Sequence, residues 1–354
     1  MRTRSELRIR SSSGDYAVVI GRGSLEDALA SADVVMVDAN LADTVAAGAM
    51  PVLPVKATED EKTLAGIEKL VVAMNRAGVR RGHRLLAVGG GVVQDVATFA
   101  SAVYMRGLTW TFAPTTLMAM ADSCIGGKSS INVGGLKNLV GNFHPPRQIV
   151  IATTFLTTLD ASAISAGLAE AVKISFCRGS DAFHGYLSRW VNFAEDPEEL
   201  LVHVLDTKRW FVEIDEHDEK ERRQLNFGHT FGHALETAVR NRISHGAAVA
   251  VGMLCAIDHP LAAKTSDTQA LGTHCRALLS QVTALPQALS DFDAAEFERA
   301  FRSDKKHTHD QFRLILPQDG GGVREIAIPV TDQAWTDILA GTRSVLFSLG
   351  GDAP

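Results

Sequence analysis

Basic charge, paired cysteines and long apolar runs are all missing from this 354-residue chain, and each absence removes a class of function. Lys and Arg total 35 against 41 Asp and Glu, a net charge of -6 with a pI near 6.1. That balance leaves no electrostatic footprint for nucleic acid or an anionic membrane, so any cationic site must be local. The four cysteines, Cys124, Cys177, Cys255 and Cys275, lie far apart with no CxxC spacing and no small secreted scaffold around them. They read as reduced core thiols of a cytoplasmic protein. No apolar run reaches the roughly 18 residues of a membrane span. The N-terminal stretch "MRTRSELRIRSSSGDYAVVIG" has no apolar core of a signal peptide, so a cytosolic protein with no membrane partner is expected.

What remains is an ordinary globular composition, 46% hydrophobic and 21% charged, long enough for two domains. The first half alternates β-branched runs with helical patterns: "YAVVIG", "SLEDALASA", "VVMVDAN", "EDEKTLAGIEKLVVAMNRAG", "HRLLAVGGG", "VVQDVATFASAVYMRG", "TWTFAPTT" and "QIVIATT". Strands and helices alternating at this spacing predict an open, mostly parallel, Rossmann-like α/β domain over residues 1–155. From 156 to 354 the pattern turns mainly helical and ends in two apolar runs around "FRLILPQDGGGVREIAI". The expected class is α/β plus α, with no repeat and no low-complexity linker.

Chemistry-bearing residues collect in a few places. In "RLLAVGGGVVQDVATF" a strand runs into Gly89, Gly90 and Gly91 and then a helix, where backbone amides could approach a pyrophosphate. This is not the GxGxxG fingerprint, and a tight turn needing positive φ would use the same glycines. Asp38, closing "VVMVD", stands where an acid can bind a ribose hydroxyl, although many strands end in Asp. Residues 114–146 form a loop-like stretch rich in Gly, Ser, Thr, Asn and Lys. There Asp122, Lys128, Asn132, Lys137 and Asn138 offer a carboxylate, two ammonium groups and two amides to an anionic, polyhydroxylated ligand.

"LNFGHTFGHALE" places Asn226, His229 and His233 within roughly 60° on one helical stripe. A histidine on such a face is more often a hydrogen-bonded core residue than a ligand. In "SAGLAEAVKISF", Glu170 and Lys173 lie one turn apart in an apolar helix, as a local salt bridge or as the carboxylate that two histidines need to complete a catalytic zinc site. His245, in "SHGAAVAVGM", could join Glu170 and either member of the 229/233 pair; spacing alone leaves those two interchangeable.

Taken together, "GGGVVQD", "YMRG", "PTTL", "DSCIGGKSSIN", "KNLVGNFHPP", "GLAEAVK", "RRQLNFGHTFGHALE" and "HGAAVAVGM" resemble the sugar phosphate cyclases, most nearly the 3-dehydroquinate synthase family, over nearly the whole chain. The resemblance implies zinc, or cobalt, on Glu170, His229 and His245, with His233 and Asn226 facing substrate. It implies NAD along Gly89, Gly90 and Gly91, with Asp95 near the carboxamide end, Thr115 and Thr116 further along, and Asp38, Glu59 and Lys62 toward the adenosine. Asp122, Lys128 and Lys137 are expected at both cofactor and reacting groups, and Lys173 close to the metal.

The substrate phosphate is expected on Lys128, Asn138, Asn226, His233 and either Lys305 or Lys306, with Arg106 reaching across a homodimer. Lys208 and Arg222 match the pair that holds a substrate carboxylate, which favours an acidic sugar phosphate, 3-deoxy-D-arabino-heptulosonate 7-phosphate or a close analogue. The implied chemistry is transient oxidation by NAD, β-elimination of phosphate, reduction, ring opening and an intramolecular aldol closure. Gln94 for a small residue, Ser129 and Ser130 in "GGKSSIN" for the usual "GGKTGIN", and Ala247 after "HG" depart from the family pattern. Another cyclase, acting on a heptulose 7-phosphate, an amino analogue or glucose 6-phosphate, is the alternative. A metal-dependent alcohol dehydrogenase of the same architecture is a further one, against which the lysines at 128 and 137 argue.

Overall fold

The structure, a computed structural model, describes residues 4–45, 50–134 and 136–351. The chain forms two compact units, one from residues up to Leu159 together with Phe193–Glu216, the other from Asp160–Asn192 and from His217 onward.

The first unit is built on strands β1 (Ser5–Ile9), β2 (Tyr16–Ile20), β3 (Val34–Asp38), β4 (Val52–Val55), β5 (Arg84–Gly89) and β6 (Thr109–Pro114). A separate antiparallel hairpin, β7 (Ile131–Val133) and β8 (Leu136–Val140), precedes the last sheet strand, β9 (Gln148–Ile151). The seven-stranded sheet runs β1-β2-β9-β6-β5-β3-β4, antiparallel only between β1 and β2. "VVMV" in β3 and "LLAVG" in β5 are apolar because these strands are buried on both faces. Helices α1 (Ser24–Ser31), α2 (Ala42–Val45), α3 (Leu64–Arg76) and α4 (Gly91–Val103) connect them. The Thr63 hydroxyl accepts from Gly66 N and starts α3, whereas Gly90 gives α4 no side-chain cap. From β3 the chain steps outward to β4 and then returns to β5 on the other side of β3. The carboxyl ends of β3 and β5 therefore flank the point where strand order reverses, the place where open α/β sheets take ligands.

Helices α5 (Ala161–Arg178) and α6 (Ser180–Trp190) begin the second unit. Helix α7 (Pro197–Ile214) returns to the first, with Pro197 in its opening turn. The second unit continues with α8 (His229–Ala238), α9 (His245–Asp258), α10 (Ser266–Leu279), α11 (Leu285–Ser290) and α12 (Ala294–Arg302). It closes with the antiparallel pair β10 (Gln311–Pro317) and β11 (Val323–Pro329) and with α13 (Asp332–Ser348). Residues 165–177 of α5 and 246–256 of α9 are buried all round, which marks these two as its central helices. Among the described residues no helix is long and apolar enough to cross a membrane.

Three expectations change. A single boundary at 155/156 is too simple, because α7 packs with the first unit. Arg10 donates from Nε and Nη2 to Glu213 Oε2, Ser11 Oγ donates to Glu216 at 2.5 Å, and Lys208 pairs with Asp122. The stretch 114–146 is not one loop: Ala119–Ser123 is a π-helical turn and β7–β8 is a hairpin. Asn226 does not share a helix with the two histidines. It ends the 3-10 turn Glu221–Asn226, and Gly228, at φ 77°, breaks the chain before α8.

Candidate active site

In the first unit, Gly89, Gly90 and Gly91 all have negative or extended φ, so a positive-φ turn is not what they serve. A Cβ on Gly89 would meet the Val93 side chain at 2.5 Å and one on Gly90 the Thr116 methyl at 2.9 Å, while Gly91 faces open space. The first two are needed for packing. At Gly91 the uncapped start of a 13-residue helix is left accessible, which suits an anionic group. Thr115 is buried with its N–H on Gly89 O, and Thr116 Oγ1 accepts from Ala119 N. Asp38 caps its own turn by accepting from Asn40 N at 3.0 Å.

Lys62, 6% exposed, is the hub of a second cluster. Its ammonium lies 2.8 Å from Asp95 Oδ2, 3.1 Å from Asn138 Oδ1 and 3.4 Å from Glu59 Oε1. Ser130 adds two bonds to Asp95, from its N at 3.0 Å and its Oγ at 3.2 Å. Burial raises the Asp95 pKa, against the opposing Lys62 charge and these hydrogen bonds. Residues expected at opposite ends of a dinucleotide, Lys62 and Asp95, are thus direct partners here. Beside them Glu59, Thr63, Leu64, Asn132 and Lys137 line an open cavity of about 470 Å³. Lys128 stands 5.9 Å over the Phe143 ring. Lys208, 5% exposed, pairs with Asp122 Oδ1 at 2.5 Å. Arg106 is exposed and, with Met105, left-handed; among the described residues no cluster of the first unit includes it.

In the second unit the metal-type donors are assembled by close helix crossings. A Cβ on Gly252 of α9 would lie 2.0 Å from Gly228 O, and one on Gly232 of α8 would lie 3.0 Å from Ala248 O. A Cβ on Gly246 would lie 2.2 Å from Ala166 O of α5. Backbone therefore packs on backbone, and His229 and His233 of α8 come to His245 at the start of α9 and to Glu170 on α5. Ligand atoms of the three histidines lie within 4.8 Å of one another. Glu170 Oε1 is 3.5 Å from His245 Nε2 and 3.9 Å from His229 Nε2. Donors about 2.1 Å from a tetrahedral ion sit roughly 3.4 Å apart, so the carboxylate and these two imidazoles fit zinc or cobalt.

The outer shell separates the histidines. His229 Nδ1 is 3.3 Å from Phe227 O and His245 Nδ1 is 3.3 Å from Glu236 Oε2, each leaving Nε2 toward Glu170. His233 has no such bond among the described residues. Burial, reinforced by the Lys173 charge and by neighbouring histidines, holds the His229 pKa well below the usual range. Burial, followed by the His245 charge, lowers His233 to about 4. For His245 burial works the other way from the outcome: the Glu236 bond and the Glu170 and Glu236 charges outweigh it and the pKa rises. Lys173 is buried and bonded to the other Glu170 oxygen.

Of the two candidate lysines, Lys306 projects its charge onto His229 and His233 and pairs with Asp304 at 2.6 Å, whereas Lys305 is exposed. Asn226 Nδ2 donates to Arg223 O, and Arg222 is 5% exposed. Sequence patterning missed two supporting groups, Glu236 and Asp304. Glu236 lies seven positions beyond His229 in the same apolar helix, which was the available signal.

Residues 52–166 match the family described as 3-dehydroquinate synthase N-terminal, and residues 167–307 the one described as 3-dehydroquinate synthase C-terminal. The 3-dehydroquinate synthase of Xanthomonas axonopodis pv. citri is 37% identical over 82% of this chain and 80% of that protein. That of Xylella fastidiosa is 34% identical over 93% and 90%. Among solved structures, 2-epi-5-epi-valiolone synthase from Streptomyces hygroscopicus, with NAD+ and Zn2+ bound, aligns with a TM-score of 0.77 at 25% identity, covering 96% of this chain and 99% of that one. A 2-deoxy-scyllo-inosose synthase shares the fold at 0.76 and 24% identity over 96% and 99%. A "probable glycerol dehydrogenase" from Sinorhizobium meliloti shares it more distantly, at 0.57 and 14% over 94% and 96%.

Proposed function

This chain belongs to the 3-dehydroquinate synthase family, and from that premise we propose that it converts 3-deoxy-D-arabino-heptulosonate 7-phosphate to 3-dehydroquinate and phosphate, a carbon–oxygen lyase reaction using NAD and a zinc or cobalt ion. The observation that carries the reading is the Glu170, His229, His245 set, with the Nδ1 atom of each histidine already engaged. When bound, the metal supplies Lewis-acid polarisation of a substrate hydroxyl and NAD a reversible hydride acceptor.

The chain's own residues account for the rest. The uncapped amides at the start of α4 and the Glu59, Lys62, Asn132, Lys137 surroundings suit a dinucleotide. Lys306 offers a cation to the leaving phosphate. His233, on the same face of α8 one turn from His229, is assigned to that phosphate as an N–H donor. Lys128, Asn138 and Asn226 extend that set. Lys208 and Arg222, both nearly buried cations, are assigned to the substrate carboxylate, which a neutral sugar phosphate would lack. Lys173 shares the Glu170 carboxylate and anchors it beside the histidines. The proposal includes a cytoplasmic homodimer in which exposed Arg106 serves the partner's phosphate site.

Purified protein with zinc and catalytic NAD is expected to release phosphate from the heptulosonate 7-phosphate with no net build-up of NADH. Stoichiometric NADH would instead indicate a dehydrogenase. Turnover of sedoheptulose 7-phosphate but not of the acidic substrate would move the assignment to a neutral-sugar cyclase.

A further inference from the structure

Gln94 lies in the first turn of α4 and is 4% exposed. A buried primary amide must find partners for both its ends or lose stability. Gln94 places both on one residue: its Nε2 donates to Ser123 O at 2.6 Å, and its Oε1 accepts from Ser123 Oγ at 2.5 Å. Ser123 closes the π-helical turn Ala119–Ser123, in which Cys124 N–H reaches back five residues to Ala119 O. Such wide turns are rare and depend on surrounding contacts. The amide of Gln94 supplies two of them.

That turn also carries the oxygens that hold Lys208. The Lys208 ammonium pairs with Asp122 Oδ1 at 2.5 Å, donates to Asp122 O, and reaches Ile125 O at 3.3 Å. All three oxygens come from residues 122–125, directly beside the Ser123 that Gln94 grips. An ammonium is a point charge on a flexible stem, so its position is set by what receives its donors. We propose that Gln94 is a positioning residue for substrate-carboxylate recognition: it clamps the π-helical turn so that Asp122 and Ile125 fix the Lys208 ammonium, whose charge rather than a free N–H attracts the carboxylate. This rests on the assignment of Lys208 to the substrate carboxylate. It gives a role to one of the residues by which this chain departs from the family pattern.

The test compares wild type, Gln94→Leu, Lys208→Met and the double variant at saturating NAD and zinc with the heptulosonate 7-phosphate. Gln94→Leu is expected to raise KM roughly five- to tenfold, as loss of a hydrogen-bonded clamp would, with kcat within about twofold of wild type. In the Lys208→Met background the same change should add nothing to KM. Additive effects, or a fall in kcat at unchanged KM, would overturn the proposal. Hydrogen exchange of the substrate-free protein tests the clamp without any turnover: amides of residues 119–126 should exchange faster in Gln94→Leu and in the milder Gln94→Asn, other segments being unchanged. Unaltered exchange there would overturn it too. Wild type that fails to turn over the acidic substrate would count against the proposed function, whereas the exchange result stands or falls independently of it.

Discussion

His229 and His233 differ by one turn of helix and by little in the sequence around them, yet their surroundings assign them opposite work. His229 has its Nδ1 on Phe227 O and its Nε2 toward Glu170; among the described residues His233 has neither. His229→Ala should therefore lose the bound metal on dialysis, measured by elemental analysis, while His233→Ala should keep it and lose turnover. The opposite pattern would reverse the two assignments. A third histidine shows what burial alone does. His274 is 4% exposed, bonded through Nε2 to Tyr186 Oη, and burial lowers its pKa to about 4. The unfolded chain, with an ordinary imidazole near 6.5, takes up the proton first as pH falls, so this site's stabilisation is complete above about 6.5 and is lost toward 4. The effect amounts to at most about 3 kcal/mol. His274→Gln should flatten the fall in urea midpoint between those pH values, and an unchanged slope would show that other groups cause it.

Elements explain how the metal-type donors meet at all. Gly228, Gly232, Gly246 and Gly252 let α8, α9 and α5 approach backbone to backbone, and the approach carries His229, His245 and Glu170 together. A methyl on Gly252 would collide with Gly228 O at 2.0 Å, so the helices must separate. Gly252→Ala is expected to destabilise the protein by roughly 1–3 kcal/mol, the usual cost of overpacking, and to weaken metal binding because His229 moves with α8. Chemical denaturation and titration with cobalt, read by its absorption, check both. Loss of stability with full metal affinity would mean that the histidines are held independently of the crossing. The glycines themselves stand plainly in "FGHTFGHALE" and "HGAAVAVGM", but which backbone each approaches depends on pairing between segments far apart in sequence. For the same reason the helix expected to carry Asn226 actually starts after Gly228.

At the scale of the molecule, the two sets of candidate residues fall into different units. Asp38, Glu59, Lys62, the three glycines and Asp95 belong to the first, and Glu170, His229 and His245 to the second. Each set supplies its own ligands, so either cofactor is expected to bind in the absence of the other. Removal of metal by a chelator should thus abolish turnover while changing the dissociation constant for NAD by no more than about threefold, measured by calorimetry. A larger change would reveal coupling between the two sites.

Much of this protein was decided by the sequence itself. Alternating β-branched and helical runs specify a parallel α/β sheet, because strand burial and helix amphipathicity are local patterns. The motifs from "GGGVVQD" to "HGAAVAVGM" specify the family, because side-chain types at fixed spacing are written directly in the chain. Only the tertiary structure decided that α7 and Lys208 join the first unit, that Lys62 pairs with Asp95, that Lys306 rather than Lys305 reaches the histidines, and that Gln94 grips Ser123. Each of these joins residues tens of positions apart or chooses between neighbours of identical chemistry. Packing and hydrogen-bond geometry settle such choices, and neither is a property of local sequence.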